Sequence, residues 1–376
     1  MFTSVCNKRR WALWAVVVVI VANGCADPEP VRIGFVGGLS GRVSDLGGPA
    51  RNGMLLAVEQ ANAEGGIDGR PIEAIIRDDK QDVEVARKAV RELLDANVEA
   101  IIGPATSSMA TSVVDLANAA KVVMVGATVT SNELSIEGDY FIRVLSPTSV
   151  HAAEVASFFT RRGFSSFTAI FDSNNSSYTE SWLRDFSQQF ESDGGHNLGA
   201  FAFSSERPED LIELPKKALQ ANPEFIVFIT NSVDAALLAK QVRMIDSEIQ
   251  IATSEWAGTE RLIQLGGRHI ENAYVPQYLD RESEEPRYLT FRQQFKDRFN
   301  QEPGFPGVAG YNATQLIITA LREKPEKQPL RDYILERGEF PGLQWSISLN
   351  PSGDPNSKTS VTRITDGRFV VQDDPH

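Results

Sequence analysis

Residues 100–134 read AIIGPATSSMATSVVDLANAAKVVMVGATVTSNEL. The apolar triplet at 100–102 is too short for a helix and runs into Gly103-Pro104, a pair that ends regular structure. Beyond Thr106 the pattern changes. Met109, Val113, Leu116 and Ala120 recur at helical spacing, which predicts a helix with those four turned inward. A second apolar run, 122–125, then gives way to Thr128-Val129-Thr130-Ser131. Strand, helix, strand, with both strands continuously apolar, is the pattern of a parallel βαβ unit covered on both faces. Ligands of such sheets sit beyond the carboxyl ends of the strands. Here both ends carry hydroxyls, and the first also opens a helix whose free N–H groups favour an anion. The unit is a candidate holder of a small carboxylate.

The same alternation extends outward. Before the unit, strands are expected at 31–36 and 71–77, with helices opening at Pro49 and at Asp82, the latter an N-cap. A strand at 140–144 closes the first series, and Ser146-Pro147-Thr148 breaks the pattern. A second series follows: strands at 167–171, 200–203, 225–229 and 249–252 alternate with helices, one carrying Trp182, Phe186 and Phe190 at spacing four. Helical patterns at 284–299, 306–322 and 329–336 come next, and the tail from 344 to 371 reads as hairpins turning at 350–353 and at Asp366-Gly367. Two series of strand–helix units in 376 residues predict an α/β protein of two lobes with parallel sheets.

The first 25 residues stand apart. Lys8, Arg9 and Arg10 precede an apolar run, Trp11 to Ala22, whose 12 residues rise about 18 Å as a helix, against a bilayer core of about 30 Å. This is a secretory signal and lies outside fold reasoning. The residues before Cys25 resemble a bacterial lipobox, with Gly24 directly before it and Ala22 where Leu is more usual, so Cys25 is the expected lipidated first residue; ordinary cleavage nearby is the plainer alternative. The mature chain then holds no other cysteine, and residues 26–30 form a short tether at a membrane surface.

The net charge of −13 argues against a nucleic-acid partner. The four histidines, at 151, 196, 269 and 376, are scattered, with no metal-ligand spacing. No nucleophile elbow and no phosphate loop occur, and Gly34, Gly37, Gly38 and Gly41 do not fit a dinucleotide fingerprint. No nucleophile–base pair presents itself. The expectation is a binding protein and not an enzyme, with no cofactor and no metal.

Ordered motifs then add a resemblance. The stretches GFVGGLSGRVSDLGGPARNGMLLAVEQANAEGGIDGRPIEAIIRDDKQD (34–82), AIIGPATSS (100–108), ATVTSNEL (127–134), SSYTES (176–181), TSEWAG (253–258) and GYNATQLI (310–317) resemble the solute-binding proteins of branched-chain amino acid ABC transporters, the leucine/isoleucine/valine-binding type. The resemblance implies two Rossmann-like lobes joined by three crossover strands, near Ser146, Val275 and Lys358, closing like a hinge on a ligand. Lobe one is expected at 31–146 and 276–358, and lobe two at 147–275 and 359–376. It further implies a monomeric extracytoplasmic receptor, periplasmic or at the cell surface. Such a receptor captures a small ligand, an amino acid above all, for an ABC permease and its ATPases. An envelope sensor or cell-wall synthase activator of the same fold, or a binder of aromatic acids or amides, are the alternatives.

Carried over residue by residue, the resemblance assigns Ser107, Thr128 and Thr130 to an α-carboxylate, Glu255 to an α-ammonium and Tyr178 to closure over the ligand. Each has a plainer reading: a helix cap for Ser107, turn chemistry for the threonines, a solvated loop glutamate, a surface tyrosine. Leu46 and Asn231 stand where branched-chain binders carry aromatic residues, so the side-chain pocket is expected to differ. Trp256, Arg42 and Asp45 are candidates to line it. The family's small-loop disulfide is also absent, its two positions being Gln81 and Thr106.

Overall fold

The computed structural model describes residues 28–204, 207, 209–357 and 359–373. The expected signal segment, Cys25 and Lys358 lie outside these residues. β1 (Val31–Gly37) leads through a 3-10 turn (Gly41–Val43) into α1 (Ser44–Ala63). β2 (Ile72–Asp78), α2 (Val83–Asp95), β3 (Ala100–Ile102), α3 (Ser107–Ala120), β4 (Val123–Gly126) and β5 (Phe141–Arg143) follow. α4 (Thr148–Arg161) opens the second series of β6 (Ser166–Asp172), α5 (Ser176–Ser192), β7 (His196–Phe203), α6 (Asp210–Gln220), β8 (Phe225–Ile229), α7 (Ser232–Ile245), β9 (Gln250–Thr253), α8 (Glu260–Gly266) and β10 (Tyr274–Gln277). The chain ends with α9 (Pro286–Phe299), α10 (Gly304–Glu323), α11 (Leu330–Arg337), β11 (Glu339–Phe340), β12 (Ile347–Ser348), β13 (Ser360–Thr365) and β14 (Arg368–Val371).

The first sheet is parallel throughout, in the order β2-β1-β3-β4-β5. The second repeats that order as β7-β6-β8-β9-β10, all parallel, and adds β13 and β14 antiparallel at its edge. In both sheets the order reverses beside the first strand, which opens a crevice at the strands' carboxyl ends. Each lobe buries its sheet under helices, because strands such as Phe225–Ile229 are apolar on both faces. The chain returns to the first lobe after β10, where α10 packs along α1. Glycine permits that close approach: a Cβ at Gly310 would stand 2.1 Å from the Ala50 carbonyl oxygen, and one at Gly53 2.2 Å from that of Gly307.

Two local expectations change. α1 begins at Ser44, and Pro49 sits inside it. The proline forfeits only the bond to the Asp45 carbonyl, and Asp45 itself favours the helix start. In α3 the buried stripe is Met109, Ala110, Val113 and Ala117, while Leu116 is half-buried and Ala120 exposed. Two of these four buried positions are alanines, so the helical-spacing reading took the stripe partly out of phase.

Two of the expected crossings, near 146 and near 358, lie close together. Ser146 donates its hydroxyl to the Pro355 carbonyl at 2.8 Å, and its backbone N–H to Ser357 Oγ at 3.0 Å. Arg143, wholly buried, pairs with Asp354 at 2.6 Å and donates to the Ser131 carbonyl at 2.8 Å, tying β5 to the loop before β13. A buried pair of this kind fixes geometry more than it adds stability.

Candidate functional site

The carboxyl ends of β3 and β4 face those of β6 and β9 across the crevice, and each contributes polar groups for a local reason. After β3, Gly103 adopts φ +108°, and a Cβ there would lie 1.9 Å from the Val36 carbonyl oxygen. That turn lets the chain double back so that α3 starts at the crevice. Thr106, at the N-cap, donates its hydroxyl to Gln81 Oε1 at 2.9 Å. The two positions without their cysteines are therefore joined by a hydrogen bond.

Ser107 is buried at the first turn of α3. Its Oγ accepts only long bonds, from the backbone N–H groups of Thr130 (3.4 Å) and Ser131 (3.3 Å). A stronger acceptor can replace them. Thr128 donates its hydroxyl proton to the Ala105 carbonyl at 2.6 Å, so it offers a ligand an acceptor and not a donor. The next backbone donor of α3, Ser108 N–H, is already taken from across the crevice by Asn175 Oδ1 at 3.0 Å.

From the second lobe comes Glu255. A stack of rings along α5 positions it: Trp182 on Phe186 at 4.8 Å and Phe186 on Phe190 at 5.7 Å, all fully buried. At the end of that stack the Trp182 indole N–H donates to Glu255 Oε2 at 2.8 Å, and Tyr178 OH donates to the same oxygen at 3.3 Å. Glu255 Oε1 has no partner, and the residue is 0% exposed. Burial pushes its carboxyl up to about 7, against the lowering effect of the Trp182 and Tyr178 bonds. A buried, half-bonded carboxylate of this kind gains strongly from a cation.

A narrow cavity lies between these walls. Leu46, Ser107, Thr128, Thr130, Tyr178 and Trp256 all line it, which brings together most of the residues singled out in the sequence. Glu255 stands one layer behind, reached through Tyr178. Asn231 does not line it. Its Oδ1 caps α7 by accepting from the Val233 and Asp234 N–H groups, and its amide donates to Asp234 at 2.7 Å. Arg42 and Asp45 lie outside the lining too. Arg42 pairs with Asp234, while Asp45 accepts from the hydroxyls of Ser232 and Thr259, both at 2.6 Å. These bonds cross between lobes, as do those of Asn175 and of Asn132 with Asp185 at 2.7 Å, so the lobes are closed on each other. Sequence reasoning missed Asn175, Tyr278 and Phe305 in the lining. The polar loop ending at Tyr178 was the available signal for Asn175; nothing local marked the other two.

The sequence profile described as Periplasmic binding protein matches residues 30–340. The leucine-, isoleucine-, valine-, threonine- and alanine-binding protein of Pseudomonas aeruginosa is 23% identical over 80% of this chain and 80% of its own. The leucine-specific-binding protein of Salmonella typhimurium is 22% identical over 86% and 87%. Among solved structures, the substrate-binding protein LivJ of Streptococcus pneumoniae in complex with isoleucine superposes with a TM-score of 0.84 at 20% identity, over 92% of this chain and 99% of its own. A solute-binding protein of R. palustris in complex with benzoate gives 0.82 at 14% identity, over 91% and 95%. With the profile spanning both lobes and the cleft between them, the chain belongs to the periplasmic binding protein family.

Proposed function

We propose that this chain is an extracytoplasmic receptor that captures a free amino acid between its lobes and presents it to an ABC permease. The observation that carries the reading is the unpartnered, fully buried Oε1 of Glu255, which stands behind Tyr178 at a cavity whose lining includes Ser107 and Thr130. The carboxylate suits an α-ammonium, and the start of α3 suits an α-carboxylate. Closure of the lobes removes water from both and strengthens them together. No bond is made or broken. Lipidation of Cys25 and the 26–30 tether hold the body at the membrane. The lobes divide at the crossings near 146, 275 and 358.

A second reading, an aromatic acid or amide as ligand, is favoured by the rings of Tyr178, Trp256, Tyr278 and Phe305 in the cavity wall, and by the benzoate held by one structural relative. A thermal-shift screen against free amino acids, simple amides and aromatic acids separates the two. A ligand at about 100 times its Kd adds about 2.7 kcal/mol. Stabilisation by an amino acid that is lost in Glu255→Ala supports the receptor as proposed. Stabilisation by acids lacking an ammonium moves the ligand to the second reading. No stabilisation in any class points to a sensor or activator.

A further inference from the structure

Tyr278 follows β10 at the passage between lobes, and its ring is held on two sides. It meets His151 edge-on at 4.7 Å and Phe305 edge-on at 5.5 Å. It lines the same cavity as Ser107, Thr130 and Tyr178. Its hydroxyl is buried and has no hydrogen-bond partner. The Thr130 and Tyr178 hydroxyls ease its ionisation from close by but do not meet it in hydrogen-bond geometry. Burial and the charge of Glu255 hold the phenol proton in place, so the group stays a neutral donor at any working pH.

A buried donor without an acceptor has a desolvation cost that a bound acceptor offsets. His151 offers no relief: its ring nitrogens are engaged by Ser357 (3.2 Å) and Thr359, and burial keeps it neutral. Two unsatisfied groups therefore flank one cavity, Tyr278 in its lining and Glu255 one layer behind Tyr178, and they are of opposite kinds. Tyr278 OH lacks an acceptor, and Glu255 Oε1 lacks a donor. A zwitterion supplies one of each.

We propose that Tyr278 is a ligand-binding residue whose hydroxyl donates to the carboxylate of the captured amino acid. This rests on the amino-acid reading of the cleft and adds a recognition group to it.

Tyr278→Phe removes the oxygen and keeps the clamped ring. The full-length protein and this variant are titrated calorimetrically with each free L-amino acid, and the melting temperature of each is read without ligand. The expected result is a loss of about tenfold or more in affinity for the amino acid that the unmodified protein binds best, with a ligand-free melting temperature equal or higher. Unchanged affinity overturns the inference and leaves the amino-acid reading standing. A loss of affinity accompanied by a lowered ligand-free melting temperature also overturns it, since a structural hydroxyl behaves that way. Failure of the unmodified protein to bind any amino acid overturns both.

Discussion

Glu255 makes ligand affinity depend on pH with a defined sign. With the lobes closed its carboxyl sits at about 7, raised mainly by burial. An α-ammonium binds the ionised form, so binding lowers that pKa and expels a proton from the fraction still protonated. Affinity therefore rises with pH up to about 7 and levels off above it. At about pH 5 only about 1% of the carboxyl is ionised, so binding should be about 100-fold weaker than the plateau, or about 2.7 kcal/mol. Calorimetry between about pH 5 and about pH 8 reads this directly, and buffers of different ionisation enthalpy should reveal about half a proton released at the midpoint. Asp172, also raised by burial to about 6, titrates in the same window. Glu255→Gln separates the two, because it should bind weakly at every pH and flatten the profile. An affinity constant across the window in the unmodified protein would refute the ammonium role.

The same carboxyl makes the closed, folded protein lose stability as pH rises. Its folded pKa lies above the unfolded value of 4.5, so the folded state holds the proton longer, and about 3 kcal/mol is lost between about pH 4.5 and about pH 7; Glu255→Gln should remove that slope in chemical denaturation. Arg42→Ala deletes a bond to Asp234 that exists only with the lobes closed, at a site outside the cavity lining. It should raise ligand dissociation about fivefold with little change in association, as read by stopped-flow fluorescence. Gly310→Ala forces a methyl against the Ala50 carbonyl and should cost about 1–3 kcal/mol, seen as a lower melting temperature. Cys25→Ser should move the protein from the membrane fraction to the soluble one; retention in the membrane fraction would exclude the lipid anchor.

Much of the fold was legible because it rests on periodicity. The apolar runs at 100–102 and 225–229 could only be buried parallel strands, and Asp82 caps α2 by accepting from Val85 N–H as its position suggested. Phase within a helix was less legible: in α3, alanines and not the larger Leu116 face the neighbours. In the cavity lining, Ser107, Thr130 and Tyr178 were readable because each lies in a polar stretch beyond a strand's carboxyl end. Asn231 was misleading for the same reason, since a residue in that position serves its own helix first. Tyr278 and Phe305 reach the cavity only through tertiary packing from segments distant in the chain, and no local pattern encodes that.

The most direct test of the account is calorimetric titration of the protein with the amino acid found in the screen, beside its N-acetyl derivative. The derivative keeps the carboxylate and side chain but removes the charge that Glu255 is held to meet. The account predicts one-to-one binding of the free amino acid and a loss of about 100-fold or more for the derivative, as expected when a buried charge loses its partner. Equal affinity for the two would contradict it.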